Sequence, residues 1–183
     1  MLSLPKHLGG HLNITHIDEA TLVYLLEEFL INSMYDVGCG PGGMVALGKS
    51  KGLDAVGIDG DYTLTYPSDI QVIQHDFTKG PIDLDAKDLS WSCEFLEHVE
   101  EKYMDNYFSV FQKTRVVIVT YCNIPGTGHH HVNVQNQAYW DDKFKSYGFS
   151  KDQKRTDHIR LHSSMKRNFV RDTGTVYINE RCS

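Results

Sequence analysis

The sequence predicts an α/β chain with a doubly wound sheet of parallel strands in a single domain, and three observations predict it. Short β-branched runs alternate with stretches of helical periodicity, which implies parallel crossovers. The glycine cluster Gly-Cys-Gly-Pro-Gly-Gly, residues 38–43, stands between one such run and the next helical stretch. The chain of 183 residues is long enough to build one core without disulfides or structural metal.

The elements follow in order. Residues 15–30 read as a helix: Thr15 and Asp18 resemble a capping box, and Leu22, Leu25, Leu26, Phe29 and Leu30 recur at helical spacing. A short apolar strand follows over 33–37, then the glycine cluster, then a helix over 43–51 closed by Gly52. Strands are expected over 54–58, 70–74 and 88–93, and a helix over about 99–113. Arg-Val-Val-Ile-Val-Thr, residues 115–120, is the plainest strand in the chain. After a loop rich in glycine and histidine, residues 136–146 look helical, and strands near 149–157 and 175–179 complete the pattern. No repeat, low-complexity tract or linker interrupts it, so one domain over 1–183 is expected, with 1–32 as an N-terminal lid and helix segment. In such sheets ligands bind at the carboxyl ends of the strands, which is where chemistry is to be sought.

Composition narrows the function classes. The chain is 40% hydrophobic and 23% charged, and its mean hydropathy is −0.38. No apolar run approaches the ~20 residues of a membrane helix. The opening Met-Leu-Ser-Leu-Pro-Lys-His-Leu-Gly-Gly has no apolar core with a small-residue cleavage site. Cys39, Cys93, Cys122 and Cys182 are scattered, with no Cys-x-x-Cys pair, so metal knuckles and a disulfide framework are poor readings and a reducing, cytoplasmic setting is expected. The net charge is −6. Residues 1–140 carry 8 Lys+Arg against 18 Asp+Glu, and residues 141–183 carry 10 against 6. An acidic domain is a weak candidate for duplex nucleic acid, whose binding rests on phosphate neutralisation. The basic C-terminal segment could meet an anionic substrate locally.

The stretch Asp36-Val-Gly-Cys-Gly-Pro-Gly-Gly43 follows a strand and opens a helix. Glycines there let the backbone turn sharply and approach a ligand. Asp59 ends the second strand, 21 residues after Gly38, where a carboxylate can accept both hydroxyls of a ribose. In a dinucleotide site the glycine loop places pyrophosphate on the helix N-terminus. Asp36, two residues before the first glycine, disfavours pyrophosphate and suits an ammonium or sulfonium group.

With these residues the sequence resembles the class I S-adenosylmethionine-dependent methyltransferases. The resemblance covers nearly the whole chain: Asp-Val-Gly-Cys-Gly-Pro-Gly-Gly at 36–43, Gly-Ile-Asp-Gly-Asp at 57–61, His-Asp-Phe-Thr at 75–78 and Ser-Cys-Glu-Phe-Leu-Glu-His-Val at 92–99. It implies a Rossmann-like fold with seven mostly parallel strands, the last, near 175–179, inserted antiparallel. It implies S-adenosylmethionine as cofactor, with Gly38 and Gly40 approaching the methionine part, Asp59 holding the ribose, and Asp76 with Phe77 bordering the adenine. Phe77 has a core role as its alternative. The expected cofactor site is thus Asp36, Gly38, Cys39, Gly40, Asp59, Gly60, Asp76, Phe77 and Glu94.

The segment 92–99 lacks the Asn/Asp-Pro-Pro-Tyr/Phe motif of amino-methylating DNA enzymes, which argues against them. Instead Glu94, Glu97 and His98 come together. On the first turn of a helix they would share a face and could hold a divalent cation. The loop Gly126-Thr-Gly-His-His-His-Val-Asn133 follows the fifth strand and could complete the site, with His131 the best of its three histidines. This arrangement resembles the polyprenyl-catechol O-methyltransferases and the small-RNA 3′-terminal 2′-O-methyltransferases. In both, the resemblance implies a metal that binds adjacent hydroxyls and acidifies the one to be methylated. The flanking motifs of the RNA group are not recognisable here. The mixed ligand set Glu94, Glu97, His98 and His131 does not choose among Mg²⁺, Mn²⁺, Co²⁺ and Zn²⁺. Without metal, His131 or a neighbour would be the general base, and the rate would rise through a pKa near ~6.5. Glu97 has a structural alternative, favouring a helix N-terminus through the dipole.

The expected function is therefore O-methylation of a small, hydroxyl-rich acceptor of sugar or catechol type, with Glu97, His98 and His131 as catalytic candidates. RNA 2′-O-methylation is the alternative within enzymes, and a non-catalytic cofactor-binding subunit is the alternative outside them. The segment 7–18 adds His7, His11 and His16, and Gly9-Gly10 would permit a mobile lid. His11 and His16 are expected either to face the substrate or to serve in capping and on the surface.

Overall fold

A computed structural model describes residues 4–182. In chain order the elements are α1 (Glu19–Phe29), β1 (Ser33–Val37), α2 (Gly43–Ser50), β2 (Asp54–Asp59), β3 (Val72–Gln74), β4 (Lys87–Ser92), α3 (Met104–Phe111), β5 (Thr114–Val119), α4 (Gln137–Ser146), β6 (Phe149–Lys151), α5 (Gln153–His162), α6 (Phe169–Thr173) and β7 (Thr175–Asn179). The strands form one seven-stranded sheet in the order β3-β2-β1-β4-β5-β7-β6. Pairing is parallel from β3 through β5, and β7 runs antiparallel to both β5 and β6. The expected insertion of 175–179 is therefore present. Strand order reverses between β1 and β4, which run parallel, so the carboxyl ends of these two strands open a crevice.

Alternation along the strands sorts the core into two layers. Tyr35, Val37, Val117, Val119 and Tyr177 face α3 and α4, where they meet Tyr107, Phe108, Phe111, Trp140 and Phe144. Met34, Leu89, Trp91, Val116, Ile118 and Val176 face the other way, against Leu22, Leu25, Val45, Ile159 and Val170. Burial on both faces explains why the central strands read as continuous apolar runs.

Several expectations are corrected. Helix α1 starts at Glu19, with Asp18 as its N-cap accepting from Thr21 N. Thr15 does not cap α1; its hydroxyl accepts from Gly43 N at 3.1 Å and so caps α2, whose own N-cap residue is Gly42. The helix expected over 99–113 is shorter, a 3-10 turn at Glu101–Tyr103 leading into α3. The strand expected over 149–157 is only β6. Asp152 accepts from Arg155 N and turns the chain into α5, and a further short helix, α6, precedes β7.

One glycine decides how tightly the crevice closes. Gly38 has φ +75°, and a Cβ there would lie 2.5 Å from the Phe95 ring. Gly38→Ala is expected to cost about 1–3 kcal/mol through backbone strain and this clash. It should read as a melting point about 3–10 °C lower; an unchanged melting curve would contradict the packing.

Candidate functional site

The carboxyl ends of β1, β2, β4 and β5 open into a cavity of about 620 Å³, in the range of small-molecule sites. Its floor is the glycine loop. Asp59 fixes that loop: its Oδ2 accepts from Gly40 N at 2.7 Å, while its Oδ1 accepts from Asp61 N at 2.8 Å. Gly38 N and Cys39 N both donate to Ile58 O. Asp36 is buried, and its Oδ2 has no hydrogen-bond partner. Burial, and then the neighbouring Asp59 charge, push its pKa up to about 8. A buried carboxyl without a partner at a cavity wall fits a cationic ligand group. Cys39 is buried against Gly57, where a Cβ would lie 2.6 Å from its sulfur. Burial raises its thiol pKa, as do the Asp36 and Asp59 charges.

At the far end of the cavity Asp76 caps the 3-10 turn Phe77–Lys79, accepting from Thr78 N at 2.9 Å and Thr78 Oγ1 at 2.7 Å. Phe77 is 5% exposed and packs edge-on against Phe95 and Tyr107, so it both joins the core and lines the cavity. Gly60 lines the cavity beside Leu8.

The N-terminal segment crosses the cavity as a strap. His7 Nε2 lies 2.9 Å from Asp76 Oδ2, and His11 Nε2 lies 3.0 Å from Asp61 Oδ2. Between these two pins Gly9 and Gly10 take φ +83° and +90°, a left-handed turn that glycine alone makes without strain. Burial opposes ionisation of Asp61 and Asp76. The hydrogen bonds from Thr63 and His11, and from His7 and Thr78, outweigh it and hold both carboxyls below their usual range. Stability contributed by these acids is present above the ordinary carboxylate pKa and is lost as pH falls through the lowered values. His16 does not pair with an acid; its ring sits edge-on to Phe169 at 4.9 Å.

The third group lies at the ends of β4 and β5. Here the expected first turn of a helix is absent. Glu94 has φ +52° and Leu96–His98 is a 3-10 turn, so Glu94, Glu97 and His98 do not share a helical face. Glu94 turns to Thr120, whose hydroxyl donates to Glu94 Oε1 at 2.8 Å while accepting from Glu94 N at 3.0 Å. Glu97 is wholly buried. Its Oε1 accepts from Cys122 N at 3.0 Å, and its carbonyl accepts from Val132 N and Asn133 N at 2.9 and 3.0 Å. Those last two bonds pull the histidine loop inward, so that His131 Nε2 comes within 4.0 Å of Glu97 Oε1. Gly128 packs on the His131 ring, where any Cβ would lie 2.2 Å from Nε2. His98 and His131 meet edge to face at 4.7 Å.

One donor atom from each of Glu97, His98 and His131 lies within 4.8 Å of the others. Glu97 Oε2 and His131 Nδ1 are buried without a partner. An oxygen–nitrogen donor set with two such atoms fits a divalent cation. Burial and then the His131 charge push the His98 pKa down to about 4, and burial followed by His129 lowers that of His131. Both rings are therefore neutral near pH 7, the form that binds metal or takes a proton. Burial and the Glu94 charge push the Glu97 pKa up, and burial raises that of Glu94.

His129 lines the cavity beside Gly10, leaving His131 as the loop histidine brought to Glu97. Sequence reasoning missed the partners of His7 and His11, and it missed Arg167 and Phe169 on the cavity wall. These contacts join residues far apart in the chain and leave no local pattern. The four cysteines are free thiols. Among the described residues no helix is long and apolar enough to cross a membrane.

No family profile and no curated protein sequence matches the chain. Solved structures do share its fold. The methyltransferase domain of bacterial CtHen1 is 19% identical, with a TM-score of 0.59 over 87% of this chain and 96% of that one. The PH0226 protein from Pyrococcus horikoshii OT3 is 15% identical, with a TM-score of 0.60 over 88% of each chain. Magnesium protoporphyrin IX methyltransferase from Synechocystis PCC 6803, solved with bound SAH, is 13% identical, with a TM-score of 0.55 over 86% of this chain and 77% of that one.

Proposed function

We propose that the chain is an S-adenosylmethionine-dependent methyltransferase acting on an oxygen of a small, hydroxyl-rich acceptor of sugar or catechol type. The observation that carries this reading is one cavity that joins three features. They are the glycine loop tied to Asp59, the buried Asp36 with its unpartnered Oδ2, and His98 and His131, which line the cavity with Glu97 buried behind them. The fold shared with methyltransferases of known structure supports it.

When bound, S-adenosylmethionine supplies a methyl group on a sulfonium centre. In this reading Asp36 and the loop at Gly38, Cys39 and Gly40 face its methionine end. Asp59 and Gly60 hold its ribose, and Asp76 and Phe77 border its adenine. The strap over residues 7–11 excludes water from these contacts. Without a metal, His131, with His98 beside it, receives the acceptor's hydroxyl proton. Attack on a sulfonium methyl needs in-line positioning above all, and the cavity walls provide it. A divalent cation, held by Glu97, His98 and His131 with Glu94 at their side, would supply Lewis acidity toward a pair of adjacent hydroxyls.

Asp36 makes this testable through pH. Its pKa of about 8 would fall beside a cationic ligand. Below pH 8 binding should therefore release a proton, and affinity should rise with pH by up to about tenfold per unit between pH 6 and 8. The stability that protonated Asp36 gives the fold is fully present below the ordinary carboxylate pKa and is lost as pH rises from there to about 8. Calorimetry in two buffers of different ionisation enthalpy reads the proton directly. Binding that is independent of pH and releases no proton would contradict the placement of Asp36.

Turnover of labelled cofactor against sugars, catechols, nucleosides and RNA ends tests the acceptor. Methylated oxygen on a vicinal diol is expected, whereas methylated nitrogen or carbon would overturn the reading. Transfer to an RNA 2′-hydroxyl is the second reading. The Glu-x-x-Glu-His segment with its downstream histidine and the 10 Lys+Arg of residues 141–183 support it.

A further inference from the structure

We infer that Arg167 is an anion-binding residue of the acceptor site, so that the acceptor carries a phosphate or carboxylate group as well as its hydroxyls. This deepens the methyl-transfer reading and rests on it.

The argument begins with the loop between α5 and α6, residues 163–168. A buried acid and a buttressing arginine hold it at both ends. Asp18, wholly buried, accepts from Ser163 Oγ, from Ser164 N at 3.0 Å and from Ser164 Oγ at 3.0 Å. Arg171 donates to Ser163 O at 2.9 Å, Met165 O at 2.7 Å, Arg167 O at 3.2 Å and Asn168 Oδ1 at 2.9 Å. A loop held by this many charge-assisted bonds presents its side chains from a fixed backbone.

What it presents is Arg167, exposed and on the wall of the cavity with His16 and Phe169. Among the described residues the Arg167 guanidinium donates no hydrogen bond and forms no ion pair, in contrast to Arg115, Arg155, Arg160 and Arg171. Its charge is felt inside the cavity: burial first, and Arg167 second, hold His16 below its usual pKa. A planar, permanently charged fork with no partner of its own matches a carboxylate or phosphate in two-point geometry. The cofactor contacts proposed above lie at the glycine loop, Asp59 and Asp76, whereas Arg167 comes from the basic C-terminal segment; the competing anion, the cofactor's own carboxylate, is read by the affinity for S-adenosylhomocysteine, which Arg167→Gln should leave unchanged.

The test uses the whole protein and two matched pairs of vicinal diols, ribose with ribose 5-phosphate and catechol with 3,4-dihydroxybenzoate. Binding of S-adenosylhomocysteine is measured first and by itself reports on the methyl-transfer reading. The pairs are then titrated by calorimetry, with and without it, while the His16 ring signal is followed by NMR. The anionic member of at least one pair is expected to bind at least about tenfold tighter and to shift His16. Preference confined to the ribose pair names phosphate, and preference confined to the catechol pair names carboxylate. Arg167→Gln should reduce the anionic member to the level of its neutral partner with an unchanged melting point, since the side chain has no partner within the protein. Arg167→Lys should restore only part of the preference. Equal affinities within both pairs, failure of all four compounds to bind, or a preference that survives in Arg167→Gln would overturn the inference.

Discussion

Glu97→Gln is expected to lower methyl transfer by about 10²–10⁴-fold while leaving cofactor affinity within about twofold. The amide keeps an oxygen for Cys122 N and nearly the same volume, so the turn at Leu96–His98 and the histidine loop stay in place. What is lost is the anionic donor of the cluster it forms with His98 and His131. If a divalent cation works there, chelator should abolish turnover in the natural protein, and Mg²⁺, Mn²⁺, Co²⁺ or Zn²⁺ should restore it. Full turnover in chelator, with an active Glu97→Gln variant, would instead assign the proton to a histidine alone. The pH limb would then lie below ~6.5, because burial and the neighbouring histidines lower both His98, to about 4, and His131. The limb would thus lie on the acid side of the value near ~6.5 expected from the sequence.

Asp59→Ala is expected to weaken S-adenosylhomocysteine binding by roughly 1–3 kcal/mol, about 5- to 150-fold. Two losses combine. A carboxylate for the ribose hydroxyls disappears, and the N–H groups of Gly40 and Asp61 lose the acceptor that shapes the glycine loop. Asp59→Asn keeps part of the second function, so it separates them: intermediate affinity with a normal melting point is expected. Equal binding by wild type and Asp59→Ala in calorimetry would contradict the site.

Much of this arrangement was legible in the residues, for physical reasons that differ from element to element. The strand–glycine–helix unit at 33–51 carries a strong local signature, because glycine takes the left-handed turns at Gly38, Gly40 and Gly42 without strain. The central strands were legible because burial on both faces leaves runs such as Val116 to Val119 uniformly apolar. Helix α5 was missed because it is mostly polar. Thr156 and Ile159 alone are buried in it, too few to show a helical period, although the Asp152 cap was a usable signal. Thr15 looked like a cap for the helix that follows it, and caps a helix 28 residues on instead.

The site divides along the same line. The acids at 36, 59 and 76 lie at or just past the carboxyl ends of β1, β2 and β3 and were readable from that position. The choice of His131 over His129 and His130 was not, because it depends on the carbonyl of Glu97 drawing in the backbone at Val132 and Asn133. Glu94 looked like a member of a helical face, yet its left-handed backbone and its bond to Thr120 set it beside the cluster of three. The pins of the strap join residues 69 and 50 positions apart. Such pairs follow from the fold and precede it nowhere in the sequence.

Calorimetric titration of the purified protein with S-adenosylhomocysteine, and in parallel with NAD, tests the assignment of the cavity most directly. Micromolar binding of S-adenosylhomocysteine, on the order of −8 kcal/mol, with a proton released near pH 7 and no heat from NAD, is the expected result. Binding of NAD at equal or higher affinity, or no binding of S-adenosylhomocysteine, would contradict it.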